Sequence, residues 1–242
     1  MLEICRELRP VNNRILNRQS AGKSVIIRQM ALSHIQEKIV TGLLLGDGYL
    51  EFDKFKASRL QVKQAECKKG YVMWLYSHFA DKVLTPPKQR LDTGQWYFST
   101  RSLREFESWR ENFYRNGKKI VPKNIAEIVT DPITLAVWFM DDGTLDYRIH
   151  SHYSFTFSTD AFTIAEVRLL QNALFQNFGI ESSIQTPSSR GTKYTKLYVG
   201  RNGREKFLET IQPHILECFA YKIPPHCGLT PQRLIPEQTV FA

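Results

Sequence analysis

Two stretches of this chain, Val40-Thr-Gly-Leu-Leu-Leu-Gly-Asp-Gly48 and Leu135-Ala-Val-Trp-Phe-Met-Asp-Asp-Gly143, share one unusual plan. Each is an apolar helical run that stops abruptly at a carboxylate followed by glycine. Asp47 and Asp142 hold the same place in the two runs. A chain of 242 residues that carries such a segment twice reads as two copies of one unit. The fold must therefore explain why both copies keep an acid at the end of an apolar helix.

Capping signals and alternation place the same elements in both halves. Ser33-His-Ile-Gln36 reads as a capping box that opens a helix running to Gly46 or Asp47. Strands follow over 48–53 and 58–65, with Leu60 and Val62 facing one way and Arg59, Gln61 and Lys63 the other. A helix fits 68–82, strands fit 88–92 and 95–99 across the turn Asp92-Thr-Gly94, and a third helix fits 102–114. In the second half Asp131 caps, and Pro132 begins, a helix ending at Asp141 or Asp142. Strands fit 144–149 and 153–158. Thr163-Ile-Ala-Glu166 is another capping box, for a helix that Gly179 closes. Strands over 181–186 and 194–199 and a helix over 203–212 complete the order. The expectation is an α+β fold of tandem αββαββα repeats. Residues 1–30 would be a basic N-terminal extension, 31–117 the first half, 118–129 a linker, 130–225 the second half and 226–242 a C-terminal tail.

A formal charge of +9 with 42% hydrophobic residues suits a packed, basic protein whose partner is a polyanion, nucleic acid ahead of a membrane surface. No apolar run approaches the ~20 residues that span a bilayer. Cys5, Cys67, Cys218 and Cys227 are scattered, without a Cys-x-x-Cys pair. That pattern argues for a reducing compartment, organellar or bacterial, and against a disulfide framework or structural zinc. Arg6, Arg9, Arg14, Arg18, Lys23 and Arg28 read as a transit peptide, as an arm lying on phosphates or as a loosely ordered extension.

Gly42 and Gly46 lie on one helix face, where each costs about 1 kcal/mol against alanine. Close approach of a second helix gives that cost a reason, and the natural partner is 132–142. That copy is bulkier, with Val137 and Met140 in register with Gly42 and Leu45, so the pair is not symmetric. Parallel packing would bring Asp47 and Asp142 together at two helix C-termini, which carry partial negative charge. Such acids repel unless cations sit between them. Hard oxygen donors, with the carbonyls of Gly46 and Asp141 beside the carboxylates, suit Mg²⁺ and the hydrolysis of a phosphodiester.

Strands with polar outer faces can enter a major groove. The candidates for DNA contact are Arg59, Gln61, Lys63, Lys88, Arg90 and Gln95 in the first half. In the second they are Ser154, Thr156, Ser158, Gln185, Lys193, Lys196 and Arg201. Lys119 and Lys222 stand in equivalent places past the last helix of each half. One lysine and one aspartate from each copy would build a site able to stabilise a pentacovalent phosphate; spacing alone is equally satisfied by surface lysines beside prolines.

The two runs resemble the LAGLIDADG motif of homing endonucleases, which that family carries twice when one chain does the work of a dimer. Val40–Gly48 matches closely; Leu135–Gly143 matches at its start and at its Asp-Gly end, with Val137 replacing the usual small residue. Lys118-Lys119 ahead of Pro122 and Tyr221-Lys222-Ile-Pro are similar to a mitochondrial intron-encoded member, where the matching lysines are active-site bases. The resemblance covers roughly 33–225. It implies a saddle of two antiparallel four-stranded sheets straddling double-stranded DNA, with the motif helices packed at the centre. It further implies that a monomer makes Mg²⁺-dependent double-strand cuts with short 3′ overhangs, Asp47 and Asp142 at the catalytic acids. Mn²⁺ is expected to substitute, and Ca²⁺ to support binding without cleavage. Two sheets would cover two helical turns, on the order of 20 bp. The rival readings are a maturase that binds intron RNA and a DNA-binding regulator that no longer cuts.

Overall fold

The computed structural model describes residues 31–53, 56–149, 152–189 and 191–227. The expected arm over 1–30 and nearly all of the expected tail lie outside them. The described residues from Ser33 onward form one compact unit.

The capping box at its start is formed: Ser33 Oγ accepts from the Gln36 N–H (3.3 Å) and Gln36 Oε1 from the Ser33 N–H (2.8 Å). Helix α1 (His34–Leu45) follows, then β1 (Tyr49–Asp53), β2 (Lys56–Gln64), α2 (Lys69–Phe79), β3 (Lys88–Gln89), β4 (Trp96–Ser99) and α3 (Glu105–Phe113). A short hairpin, β5 (Tyr114–Arg115) and β6 (Lys118–Lys119), and a one-turn helix α4 (Ile125–Ile128) lead to the second half. That half comprises α5 (Pro132–Asp142), β7 (Gly143–Arg148), β8 (His152–Ser158), α6 (Ile164–Phe178), β9 (Ser183–Gln185), the hairpin β10 (Ser188–Ser189) and β11 (Thr192–Lys193), β12 (Lys196–Val199) and α7 (Arg204–Ile211).

Two antiparallel four-stranded sheets result, ordered β1-β2-β4-β3 and β7-β8-β12-β9. The orders are topologically the same, so the chain is the pseudo-twofold αββαββα tandem expected from the capping signals, with the motif helices packed between the sheets.

Helices α1 and α5 lie side by side in parallel. Thr134 Oγ1 donates to Lys38 O (3.0 Å) near their starts, and the Asp47 N–H donates to Asp141 Oδ2 (3.1 Å) at their ends. Between these, a Cβ built on Gly42 would stand 2.6 Å from Thr134 O and 2.8 Å from Val137 Cβ. One built on Gly46 would stand 2.5 Å from Asp141 Cβ. The glycines thus exist for backbone approach, and Val137 fills the space that Gly42 leaves. Their surroundings differ: Trp138 stacks on Phe157 (4.0 Å between ring centroids) and Phe139 meets Phe155, Phe157 and Phe207 edge-on, whereas α1 buries Leu43, Leu44 and Leu45. Burying such rings favours the fold by roughly 2–3 kcal/mol each.

Departures from the expected elements have local causes. Strand β3 stops at Gln89 rather than 92, because the next residues close a loop. In it Arg90 N–H bonds to Gln95 O (2.8 Å), the Arg90 guanidinium holds Asp92, and Gly94 has φ +66°. Asn116 (φ +51°) and Gly117 (φ +76°) form the tight turn of the β5–β6 hairpin, as Asn-Gly pairs do. That hairpin crosses the expected 117/118 boundary of the linker. The linker in turn packs on the second half, where the Asn177 side chain donates to Ala126 O (2.6 Å) and Val129 O (2.7 Å).

Gly42→Ala should lower stability by about 1–3 kcal/mol, because a backbone oxygen cannot yield to the added methyl. Gly70→Ala, in α2 with nothing within 4 Å of its Cβ position, should be neutral or stabilising. Urea unfolding of the two variants measures the difference.

Candidate active site

The two motif helices end differently. Gly46 caps α1, its N–H shared between Gly42 O and Leu43 O (both 3.1 Å), and Asp47 follows, exposed to solvent. Helix α5 continues through Asp142, which is half-buried, and Gly143 begins β7. Parallel packing therefore sets two acids and two sets of unsatisfied carbonyls at one end of the central pair.

Asp141 ties that end together. Its Oδ2 accepts from the Asp47 N–H (3.1 Å) and its Oδ1 from Gln64 Nε2 (3.3 Å), while Gln64 Nε2 also donates to Asp47 Oδ2 (3.0 Å). Burial, reinforced by the charges of Asp47 and Asp142, pushes the Asp141 carboxyl up to about 8. Asp142 is pushed up to about 6, first by burial and then by Asp47, against the pull of Lys119, Lys222 and Lys196. The Tyr71 hydroxyl is buried beside Asp141 without a hydrogen-bond partner of good geometry, and burial together with that carboxyl holds the phenol well above its ordinary range.

Lys119 and Lys222 do the same work in opposite halves. Lys119 Nζ donates to Gly46 O, the cap of α1. Lys222 Nζ donates to Met140 O (2.7 Å) and Phe139 O (3.2 Å) and stands 3.5 Å from Asp141 O, at the end of α5. Each cation answers the partial negative charge of its own motif helix. Neither is a free surface lysine: Lys119 is half-buried and Lys222 is 6% exposed. Burial lowers both, Lys222 to about 8.

The donor chemistry at this point fits a hard divalent cation. Burial first and the Asp47 carboxyl second raise Asp142, and the two lysines donate to the carbonyls of Gly46 and Asp141 at the ends of the same helices. Among the described residues no group of three or more His, Cys, Asp or Glu side chains forms a closed cage. Mg²⁺ needs no such cage, since it takes one or two carboxylates with waters and phosphate oxygens.

From Asp47 an open groove of about 1170 Å³ runs along the outer face of the first sheet. Arg59, Gln61, Lys63, Arg90 and Gln95 line it together with Tyr49, Tyr97 and Ser99. Lys88 pairs with Tyr97, as Lys63 does, and shares that face. On the second sheet Thr156 and Tyr198 form one cross-strand row; Ser158, Lys196 and Gln185 form the next. Lys196 Nζ is held by Asp160 Oδ2 (2.6 Å) and Ser158 Oγ (3.2 Å). Lys193 lies on the β10–β11 hairpin and Arg201 in the turn after β12, both exposed. Ser154 is a correction to the expected contact set. Its alternation with Phe155 is real, yet it is wholly buried with an unpartnered Oγ, so it offers nothing to a duplex. Gln64, Tyr71 and the bridging role of Asp141 were not foreseen. The signal for Gln64 was its parity, an amide on the inward face of β2 in line with Leu60 and Val62.

Residues 37–207 match the family model described as the LAGLIDADG DNA endonuclease family. The chain belongs to that family. Both LAGLIDADG acids and Lys119 lie within the matched span, and Lys222 lies beyond it. A probable intron-encoded endonuclease of Wickerhamomyces canadensis is 30% identical over 203 residues, which cover 79% of this chain and 85% of that protein. A cytochrome b mRNA maturase of Saccharomyces cerevisiae is 26% identical over 202 residues, 76% of this chain but only 46% of the maturase. Among solved structures, the homing endonuclease I-WcaI bound to its DNA recognition sequence superposes with a TM-score of 0.69 at 25% identity, covering 89% of this chain and 94% of that one. This LAGLIDADG chain therefore shares its saddle with a DNA-bound relative over nearly its whole length.

Asp141 and Asp142 bind protons more tightly in the fold than in the unfolded chain. The folded metal-free protein therefore holds more protons from pH ~4 up to about 8 for Asp141 and about 6 for Asp142. Stability must fall as pH rises through that window. Thermal melts between pH 4 and 8 should show the decline, Asp141→Asn should flatten it, and Mg²⁺ should raise the melting temperature more at pH 8 than at pH 5.

Proposed function

We propose that this LAGLIDADG protein is a site-specific endodeoxyribonuclease that cuts both strands of double-stranded DNA at a long target, on the order of 20 bp. The observation that carries the reading is Asp47 at the mouth of a groove lined by basic and amide side chains, its N–H bonded to Asp141 at the end of the other motif helix. Asp47 and Asp142, with the carbonyls of Gly46 and Asp141, would hold divalent cations. When bound, Mg²⁺ would lower the pKa of a coordinated water and neutralise charge on the scissile phosphate. Mn²⁺ would substitute, and Ca²⁺ would support binding without cleavage.

The chain's own groups divide the remaining work. Gln64 and the Asp141 carboxyl fix the main chain and side chain of Asp47. Lys119 and Lys222, both lowered by burial, sit one per half, where each would stabilise a phosphate in its own strand, and Lys222, lowered to about 8, could also move a proton. Lys63, Lys88 and Lys196 would lie along the track of a bound backbone, so affinity should fall steeply with salt. One chain supplies both halves, and a monomer can therefore act on both strands, leaving short 3′ overhangs. A reducing compartment, organellar or bacterial, suits the scattered cysteines. No helix among the described residues is long and apolar enough to cross a membrane.

A second reading has a specific observation behind it: cytochrome b mRNA maturases from two yeasts are 26% and 29% identical to three-quarters of this chain. A basic groove serves folded intron RNA as well as DNA. A regulator that binds without cutting is the weaker alternative, because both motif acids are in place.

DNA spanning the uninterrupted host gene, incubated with the protein and Mg²⁺, should yield defined double-strand ends. Asp47→Asn and Asp142→Asn should each reduce cleavage at least about 100-fold, with duplex binding retained in gel-shift assays. Cutting that survives either change would remove the metal assignment. Splicing assistance without cutting would favour the maturase.

A further inference from the structure

Two arginines stand on the wall of the first-half groove, and their guanidinium groups are engaged differently. Arg90 lays its fork on Asp92, with Nε on Oδ1 (3.0 Å) and Nη2 on Oδ2 (2.7 Å). Arg59 gives only its Nε, to Glu51 Oε2, directly across the β1–β2 ladder. Its Nη1 and Nη2 make no hydrogen bond to any described residue, and the side chain is 46% exposed. Glu51 Oε2 also accepts from Gln61 Nε2 (2.7 Å), so the carboxylate is itself fixed from the neighbouring position on the same face.

An acid on a wall that faces polyanionic backbone is unfavourable for phosphate binding, and a groove built only for charge would not carry Glu51. What Glu51 provides is orientation. An arginine gripped at Nε has its plane set and its terminal pair of N–H donors directed away from the grip. Two parallel donors are the match for O6 and N7 of guanine in the major groove. Arg90 is gripped by Asp92, two residues on in its own exposed loop, and by no residue across a strand ladder. The matching acid of the second half, Asp146, stands 3.9 Å from Arg148, and both are exposed (55% and 71%), so no comparable grip is built there.

We propose that Glu51 and Gln61 lock Arg59 as a dedicated reader of one guanine in the half-site under the first sheet, making Glu51 a specificity-determining residue that contacts no DNA. The inference rests on the duplex-recognition reading above. Its position is also specified. Gln64 marks the cutting centre, and Arg59 lies about 17 Å from it along β2 at ~3.3 Å per residue. That places the guanine about five base pairs from the centre at ~3.4 Å per pair.

The test selects bound duplexes from a randomised library with the full chain in Ca²⁺. Binding is then measured to the selected site and to every single-base change of it. The wild type should prefer G·C about tenfold or more at one pair, about five from the centre, in one half-site only. Glu51→Ala should cut that preference to below about threefold, leave the other positions unchanged and raise affinity for unrelated DNA. A loss of packing alone would not produce that combination. Arg59→Ala should lose the same preference with lower affinity, while Arg90→Ala should weaken all sequences alike and keep it. An intact guanine preference in Glu51→Ala, or an equal loss at every position, overturns the proposal. If the wild type enriches no duplex over unrelated DNA, the recognition reading fails first and takes this inference with it.

Discussion

Everything in this molecule depends on two helices being close enough, and parallel enough, for the backbone of one to touch a side chain of the other. At Gly46 a hydrogen stands where any Cβ would collide with Asp141. That contact lets the Asp141 carboxyl reach the Asp47 N–H and stitches the two halves at the chemical centre. Parallel packing also has a cost. It aligns two helix dipoles and gathers their negative ends, with three carboxyls among them. Lys119 and Lys222 offset part of it from within, each donating to the last carbonyls of its own motif helix. Burial first, and the neighbouring carboxylates second, raise Asp141 and Asp142, and a divalent cation is the partner such a field favours.

The duplication is closer in topology than in chemistry. Both halves order their sheets identically, yet Gly46 in one copy is Asp141 in the other, and the leucines of α1 answer to Trp138 and Phe139 in α5. One acid is left exposed and pinned through its main chain and side chain; the other is half-buried and pinned by its helix. A homodimer could not make this distinction, since each of its halves would carry the same residue. Fusing the halves into one chain allows a glycine to face a carboxylate across the axis, which two identical helices cannot do without either a void or a clash.

Much of the fold was legible because its signals are local. Ser33-x-x-Gln36 and Thr163-x-x-Glu166 start helices through side chains three residues from the backbone they satisfy, and Asp131-Pro132 does so through a cap and a preset φ. Alternation in β2 separated Leu60 and Val62 from Arg59, Gln61 and Lys63 because neighbouring residues on a strand point to opposite faces. Where the local signal was short it failed. Asn116-Gly117 marks a hairpin with only two residues on each arm, too few for alternation to register, and that hairpin carries Lys119 to the helix end.

The sequence by itself determined the duplication, the two acids after two apolar helices, the paired lysines and a basic, amide-rich face for each sheet. These follow from spacing, composition and the period of each element, all of which are written along the chain. Only the tertiary structure decided that Asp141 bridges the halves, that Gln64 turns inward to the acids, that Ser154 is covered, and which arginine is gripped across a strand ladder. Each of those depends on what lies across a helix pair or a strand ladder, and contact between residues distant in sequence is set by packing rather than by any local preference.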